Sequence, residues 1–165
     1  MLIIWKIITN ISTTITTGSI IEGQLCQKDK EVKTMTMNTD RLEEMYTNVT
    51  RLQELLDSIY SDVRHSYDAL DEHKGDIRYS LSLSYLSMSH QSYLEFKRIA
   101  YENGLATTEI TPFFEGYEHY KHQLKEVITD KDSNTSWLDS ALRSFTDAKK
   151  NVAEFLSTWI KNVTR

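Results

Sequence analysis

The sequence predicts an all-α protein, specifically an antiparallel bundle of about four helices with the heptad packing of coiled coils. Two separate stretches, 42–70 and 138–162, space their apolar residues alternately three and four positions apart, which makes a seam along one side of a helix. The 165 residues also include only one proline and five glycines. Because sandwiches and barrels need many turns, this scarcity favours long helices.

The first heptad is the most regular feature of the chain, and only Ser66 in it is not apolar. Asp40 and Glu43 form a capping-box pattern before it, so we expect this helix to begin at Thr39 or Asp40 and to end near His73. The seam consists of Leu42, Met45, Val49, Leu52, Leu56, Ile59, Val63, Ser66 and Leu70.

The second segment, 77–103, carries two conflicting patterns. Apolar and polar residues alternate over 77–85, which is typical of a strand, but the alternation breaks at Leu86 and the stretch continues into helix-compatible sequence. We therefore favour a helix. It would have two apolar faces, each covered by the bundle or by another subunit. One face is Ile77, Leu81, Tyr85, Met88, Phe96 and Ile99, and the other is Tyr79, Leu83, Leu86, Tyr93, Leu94 and Tyr101.

The third and fourth helices have clear start signals in Thr111-Pro112 and in Ser136 with Asp139. The third helix should stop near Thr129 and be the shortest, and its seam is Phe113, Tyr117, Tyr120, Leu124 and Val127. Parts of the longer seams would then stay uncovered unless the link 105–110, the N-terminal segment or a second copy fills the gap. The fourth seam is Leu138, Ala141, Phe145, Ala148, Val152, Phe155, Trp159 and Asn162.

Composition changes near Met35, and we divide the chain into an N-terminal extension, 1–35, and a bundle domain, 36–165. The extension is rich in isoleucine and threonine, and we expect it to be disordered or weakly attached. The alternative is a membrane anchor in 1–21, although its threonines dilute the apolar run below that of an ordinary membrane span.

Charge and cysteine content exclude several classes of protein. A net charge of -5 argues against nonspecific nucleic-acid binding, which depends on lysine and arginine neutralising phosphates. The single cysteine, Cys26, excludes an internal disulfide and any multi-cysteine metal centre. It is compatible with a cytoplasmic location. No glycine-rich phosphate loop is present, so we predict no cofactor.

Histidines offer weak candidates for chemistry. His119 and His122 lie three residues apart with Glu115 close by, which is a spacing that can place metal ligands on one helix face. The seam of that helix turns both histidines outward, so an ordinary polar surface is the competing interpretation. His90 adjoins leucines on the second segment and is either a satisfied, partly buried histidine or a catalytic base.

Three tyrosines are candidates for an interaction surface. Tyr46, Tyr60 and Tyr67 each follow a residue of the first seam and so occupy one flank of the helix. Tyrosine is enriched at the centres of interfaces, which favours a partner-binding stripe. The alternative is ordinary bundle packing, in which the rings widen the buried stripe and the hydroxyl groups stay wet.

No catalytic signature is complete, and the sequence therefore favours a noncatalytic protein that acts through self-association or a protein partner. The serines of the second segment lack the strand-to-helix elbow of a nucleophile. Two other functions stay open: a small metal- or ligand-binding helical-bundle enzyme that uses the histidines, and an interaction module tethered to a membrane through 1–21.

Overall fold

The computed structural model describes residues 25–131 and 135–163, with side chains from Asp40 onward. This part of the chain contains four helices: α1 (Leu25–Glu72), α2 (Ile77–Glu102), α3 (Thr111–Asp130) and α4 (Ser136–Val163). The prediction of an all-α, four-helix bundle is confirmed. Contacts divide the chain into two units, Met1–Asn38 and Thr39–Arg165, and the helices pack together within the second. Most of the predicted extension lies outside the described residues, so its boundary stays a prediction.

Contacts between α1 and α2 show that the two helices run in opposite directions. The Ser82 hydroxyl donates to the Ser66 carbonyl oxygen over 2.6 Å, and the Asn48 amide donates to the Asn103 side chain over 2.9 Å. Residue numbers on α2 therefore rise as those on α1 fall. The exposed turn between them contains Gly75, whose φ of 73° belongs to the left-handed region that glycine adopts without strain.

The remaining neighbours are also antiparallel. Ring pairs join α2 to α3, with 4.1 Å between the centroids of Tyr93 and Tyr117, and α3 to α4, with 5.2 Å between those of Phe113 and Phe145. The bundle closes where α4 returns to α1, because the Phe145 ring also stacks on Tyr60 at 6.4 Å.

The heptad of α1 is buried along most of its length but not at its beginning. Every seam residue from Val49 to Leu70 is buried, whereas Leu42 is 49% exposed and Met45 is only partly covered. The hydrogen bond from Asn48 to Asn103, the residue that caps α2, explains the change. Residues of α1 that precede Asn48 lie beyond the end of α2.

Helix α1 begins at Leu25, so the start predicted at Thr39 or Asp40 is wrong. The capping-box pattern of Asp40 and Glu43 lies within the helix, because no proline or glycine between 25 and 39 interrupts it. The end is close to prediction, at Glu72 rather than His73.

Segment 77–85 is helical, so the strand alternative is wrong, and α2 has one buried face instead of two. Several apolar residues assigned to buried faces, including Ile77, Met88 and Leu94, are exposed. The buried face instead follows its own heptad, with serine at two positions: Tyr79, Ser82, Leu86, Ser89, Tyr93, Phe96 and Ala100.

The buried serines explain why the pattern of apolar residues in α2 does not predict which face of the helix is buried. Ser82 contacts the backbone of α1 at Ser66, and Ser89 contacts it at Ile59 over 3.4 Å. Small side chains let two helix backbones approach closely, and each serine hydroxyl satisfies its own hydrogen-bonding need on a carbonyl oxygen of the neighbour. Helix α1 therefore packs against this serine-containing face.

The link between α2 and α3 completes the core. Leu105 and Ile110 are buried, and Gly104 turns the chain with a φ of 65°. The short α3 spans about 30 Å against about 39 Å for α2, and the two apolar residues of the link occupy part of the core beside it. These two residues therefore cover part of the core that the short α3 leaves open, whereas the beginning of the α1 seam stays uncovered.

Candidate functional site

The structure separates the three candidate tyrosines of α1. Tyr46 is exposed, whereas Tyr60 is partly buried under α4, with the Lys149 ammonium 5.3 Å from its ring centre. Tyr67 also packs on the core and lines a cavity. The tyrosines thus have three different environments along α1.

The metal candidates Glu115, His119 and His122 all lie on the exposed side of α3, as the seam of this helix predicts. His122 approaches Glu126 at 3.2 Å, which is an ordinary pair one helical turn apart. Within the described ranges, no three histidine, cysteine, aspartate or glutamate side chains come together in a way that could hold a metal ion. In that part of the chain, no ligand from another helix joins these three residues.

His90 is partly buried between α2 and α3. Its ring lies 5.9 Å from that of Tyr93 and 6.1 Å from that of Tyr117, nearly parallel to both. Burial and, to a lesser degree, the nearby Lys121 lower the pKa of His90. Its Nδ1 atom has no hydrogen-bond partner in the described part of the chain.

The hydroxyl groups of Tyr93 and Tyr117 are buried and lack hydrogen bonds of satisfactory geometry to any described residue. Burial raises the pKa of Tyr117 to about 12 and, together with Glu118, raises the pKa of Tyr93 further. Glu118 acts on both hydroxyl groups and raises both pKa values, whereas Ser89 acts only on Tyr117 and lowers its pKa. The cluster thus consists of stacked rings whose polar atoms, Nδ1 of His90 and the hydroxyl groups of Tyr93 and Tyr117, lack a hydrogen-bond partner among the described residues.

An exposed apolar surface runs along α2, and we call its three residues, Leu83, Leu94 and Tyr101, the α2 strip. They are 40%, 53% and 60% exposed and are separated by eleven and seven residues, which places them on one side of the helix. The Tyr101 ring stacks on Phe114 of α3 at 6.1 Å. The sequence places all three residues on one apolar face, which it expects the bundle or another subunit to cover, and the structure leaves this face uncovered by the bundle.

Lysines accompany the α2 strip. The Lys97 ammonium lies 5.6 Å from the centre of the Phe114 ring, and Lys121 and Lys125 both lie close enough to His90 to lower its pKa. Lys121 pairs with Glu118, whereas Lys97 and Lys125 form no ion pair with a described residue. The α2 strip is therefore an apolar surface with a basic border.

The uncovered beginning of the α1 seam is a second exposed apolar surface, and most of the charged residues beside it are acidic. Leu42, Met45 and Tyr46, which we call the α1 end, include two strongly exposed side chains, with Tyr46 45% exposed. The neighbouring acids Asp40, Glu43 and Glu44 are exposed and make no ion pair with any described residue. Exposed Arg41 lies among these acids, so the border of the α1 end carries three negative charges and one positive charge.

A cavity of about 220 Å³ lies near the turn between α1 and α2. Its lining is part polar and part apolar, and it receives residues from every helix except α4, together with the residue that precedes α4. The lining residues are Tyr67, Leu70, Asp71, Arg78, Tyr79, Val127 and Thr135.

Comparison with known proteins gives no indication of function, so a functional inference rests on the surfaces described above. No protein-family model, curated protein or solved structure matches this chain. In the part of the chain that the structure describes, no helix is both long and apolar enough to cross a membrane.

Proposed function

We propose that this chain is a noncatalytic helical-bundle protein that associates with a second copy of itself, and that the α1 end of one copy docks on the α2 strip of the other. The observation that carries the proposal is the complementarity of these two surfaces, which are both apolar and exposed and which have borders of opposite charge.

The apolar parts of the two surfaces match in form. The α1 end continues the heptad that is buried in the rest of α1, so its side chains have the spacing that packs into the surface of another helix. The α2 strip offers such a surface, with exposed side chains about two and three turns apart. Docking would remove both sets of side chains from water, which is the main driving force for association.

The charged residues beside the two apolar surfaces favour one orientation of the two copies. Asp40, Glu43 and Glu44 outnumber Arg41 around the α1 end, so its border is acidic on balance. Lys97 and Lys125 adjoin the α2 strip without ion-pair partners among the described residues. Since the whole chain carries a net charge of -5, two copies repel each other overall and only a local match of this kind favours their approach. A reciprocal, two-fold arrangement would use both surfaces of each copy and close a dimer.

Tyr46 is the member of the predicted tyrosine stripe that takes part in this proposal. Tyr60 and Tyr67 are already packed against the core, so we assign them no contact with the second copy. The lone cysteine supports a cytoplasmic setting for the dimer, because the chain does not depend on an internal disulfide.

The test is sedimentation equilibrium of the full chain with charge-reversal variants. We expect a reversible dimer, weakened at least about tenfold by Glu43→Lys with Glu44→Lys and by Leu94→Glu. Adding Lys97→Glu with Lys125→Glu to the Glu43→Lys, Glu44→Lys variant should restore dimerisation. Glu154→Lys, an exposed change on α4, is the matched control and should leave the dimer unchanged.

Two results would overturn the proposal. One is a chain that stays monomeric up to about 0.5 mM, a concentration at which even a weak specific dimer forms. The other is a dimer that none of the variants weakens. Far-ultraviolet circular dichroism of each variant shows that it is folded, and all the substitutions lie at exposed or partly exposed positions.

A further inference from the structure

His90 lies in the middle of the α2 strip. It follows Leu83 by seven residues and precedes Tyr101 by eleven, and these are the same separations that place the three strip residues on one side of α2. Any surface that docks on the α2 strip therefore passes over His90. In the dimer proposed above, on which this inference rests, that surface is the α1 end of a second copy.

The imidazole of His90 has one nitrogen buried and the other accessible. Its ring stacks against those of Tyr93 and Tyr117, and its Nδ1 atom is buried. The Nε2 atom is not buried and makes no hydrogen bond with a described residue, and the side chain as a whole is partly exposed. Nε2 is therefore the atom that a docked surface would cover, and a covered N–H normally has an acceptor.

The charged groups around His90 are positive on balance within one copy. Lys97 lies on the same side of α2, seven residues further along the helix. The charged groups that act on the imidazole all belong to α3: Lys121, Lys125 and Glu118, of which Glu118 is already paired with Lys121. Burial is the largest cause of the lowered pKa of His90, and the lysines of α3 lower it further. A single copy therefore disfavours the imidazolium form.

The α1 end of a second copy would reverse this balance. It brings the carboxylates of Asp40, Glu43 and Glu44 to the α2 strip. Arg41 cancels only one of these three charges. An opposite charge within about 4–6 Å favours the charged form of a titratable group, and a hydrogen bond between two charged groups is stronger than one between neutral groups.

We propose that His90 takes up a proton from water when the second copy docks and that its Nε2–H donates to a carboxylate of the α1 end, so that mildly acidic conditions strengthen the dimer. A reciprocal dimer contains this contact twice, once at each α2 strip. His90 is then the pH-sensitive contact of the interface, which is a different role from that of a catalytic base.

Linkage determines the direction of the effect. If docking raises the pKa of His90, the imidazolium stabilises the dimer fully below the pKa of the single copy, and this contribution is lost as pH rises through the higher pKa of the docked state. Histidine ordinarily titrates near pH 6.5, so the change falls between about pH 5 and pH 8. The carboxylates of the α1 end stay ionised in this range, because aspartate and glutamate titrate near pH 4.

The test is sedimentation equilibrium of the full chain at about pH 5.5 and about pH 7.5, at equal ionic strength. We expect the dissociation constant of the dimer to be at least about tenfold lower at the acidic pH, and His90→Gln to lose most of this difference. His119→Gln is the matched control, because His119 is exposed on α3 and does not act on His90. It removes the same titratable group from the chain and should keep the difference.

A second measurement requires no change at His90. The side-chain ¹⁵N signals of the labelled full chain give the pKa of each histidine in a nuclear magnetic resonance titration. We expect the pKa of His90 to be higher in the dimer than in the Glu43→Lys, Glu44→Lys variant, in which docking is weakened. The pKa of His119 should be the same in both samples and serves as the internal reference.

Different results would overturn the dimer and the role of His90. A chain that stays monomeric at both pH values up to about 0.5 mM overturns the dimer, and the pH-sensitive contact with it. A dimer whose pH dependence is the same in His90→Gln as in the unaltered chain overturns the role of His90 alone. So does a pKa of His90 that is equal in the dimer and in the Glu43→Lys, Glu44→Lys variant.

Discussion

At the scale of single residues, the one polar position of the α1 seam is part of a buried hydrogen-bond network. The Ser66 hydroxyl donates to the Val63 carbonyl oxygen over 2.7 Å and lies 2.6 Å from the Tyr120 hydroxyl. Tyr120 reaches the same carbonyl oxygen at 3.1 Å. A seam of leucines alone would leave the Tyr120 hydroxyl with one fewer hydrogen-bond partner, so Ser66 and Tyr120 are matched across α1 and α3.

We expect Tyr120→Phe to lower the free energy of unfolding by about 1 kcal/mol. The phenyl ring still fills the core, and Ser66 keeps its bond to Val63, so the loss is that of a satisfied hydrogen bond and not of a cavity. Urea unfolding followed by circular dichroism measures it. Tyr101→Phe removes an exposed hydroxyl and should change stability by less than about 0.5 kcal/mol. Equal effects of the two substitutions would show that the network contributes nothing.

The sequence identifies Ser66 as an exception in the heptad but does not explain it. Its partner Tyr120 is 54 residues away on another helix, and the third seam can be recognised without revealing which residue of α1 it meets. Periodicity predicts which face of a helix is buried, whereas the identity of the neighbour depends on tertiary contacts that a single sequence does not display.

At the scale of the element, small residues decide how α2 packs. Its buried face combines aromatic side chains with Ser82 and Ser89, and both serines contact carbonyl oxygens of α1. At both positions the short serine side chain brings its hydroxyl within hydrogen-bond distance of the α1 backbone. Leu83 and Leu94 of the same helix point away, and this is what exposes the α2 strip.

We expect Ser82→Leu to destabilise the bundle by about 1–3 kcal/mol, because the larger side chain would enter a space where the serine oxygen already lies 2.6 Å from the α1 backbone. Ser84→Leu, an exposed change two residues along the same helix, should alter stability by less than about 0.5 kcal/mol. Thermal unfolding of the two variants side by side separates these outcomes. A tolerated leucine at position 82 would contradict close packing of α1 against α2.

The sequence predicts the buried face of a helix best where that face is apolar and the helix keeps a heptad spacing. The seams of α1 and α3 are apolar except at Ser66, and their burial is correctly predicted apart from the exposed beginning of α1. The α4 seam is correct up to Val152 and then drifts, because Leu156 is fully buried and Phe155 only partly so. A straight helix turns every 3.6 residues and not every 3.5, so a strict heptad gradually leaves the buried face.

At the scale of the whole molecule, three buried tyrosines make the stability of the bundle depend on pH in the alkaline range. Burial raises the pKa of Tyr117 to about 12 and raises those of Tyr93 and Tyr120 as well. In the unfolded chain these groups lose their protons near pH 10. Folding favours the protonated forms, so their contribution is fully present below pH 10 and is lost as pH rises above it.

We expect the free energy of unfolding to fall by about 1.4 kcal/mol per pH unit for each buried tyrosine between about pH 10 and 12. Tyr117→Phe should reduce this slope by one such increment, and the exposed Tyr101→Phe should leave it unchanged. Urea midpoints measured at several pH values give the slope. The same slope in Tyr117→Phe as in the unaltered chain would mean that the Tyr117 hydroxyl titrates equally in both states.

The sequence predicts the candidate surfaces only in part. Tyr46 can be identified as an interaction candidate because it flanks a heptad, and the structure leaves it exposed. The residues of the α2 strip can be placed on one apolar face of the helix, but the sequence does not reveal whether the bundle or another subunit covers that face. The cavity brings Asp71 and Arg78 together with Val127, and residues so far apart in the chain become neighbours only through the fold.

The buried link between α2 and α3 has a consequence for how this protein can evolve. Leu105 and Ile110 are core residues although they belong to no helix, so the length of that connection is constrained as strictly as the helices themselves. The α1–α2 turn at Lys74 and Gly75 is fully exposed, and its backbone can lengthen without disturbing any buried contact. Among descendants of this sequence, insertions and deletions should accumulate at 73–76 and be purged from 105–110.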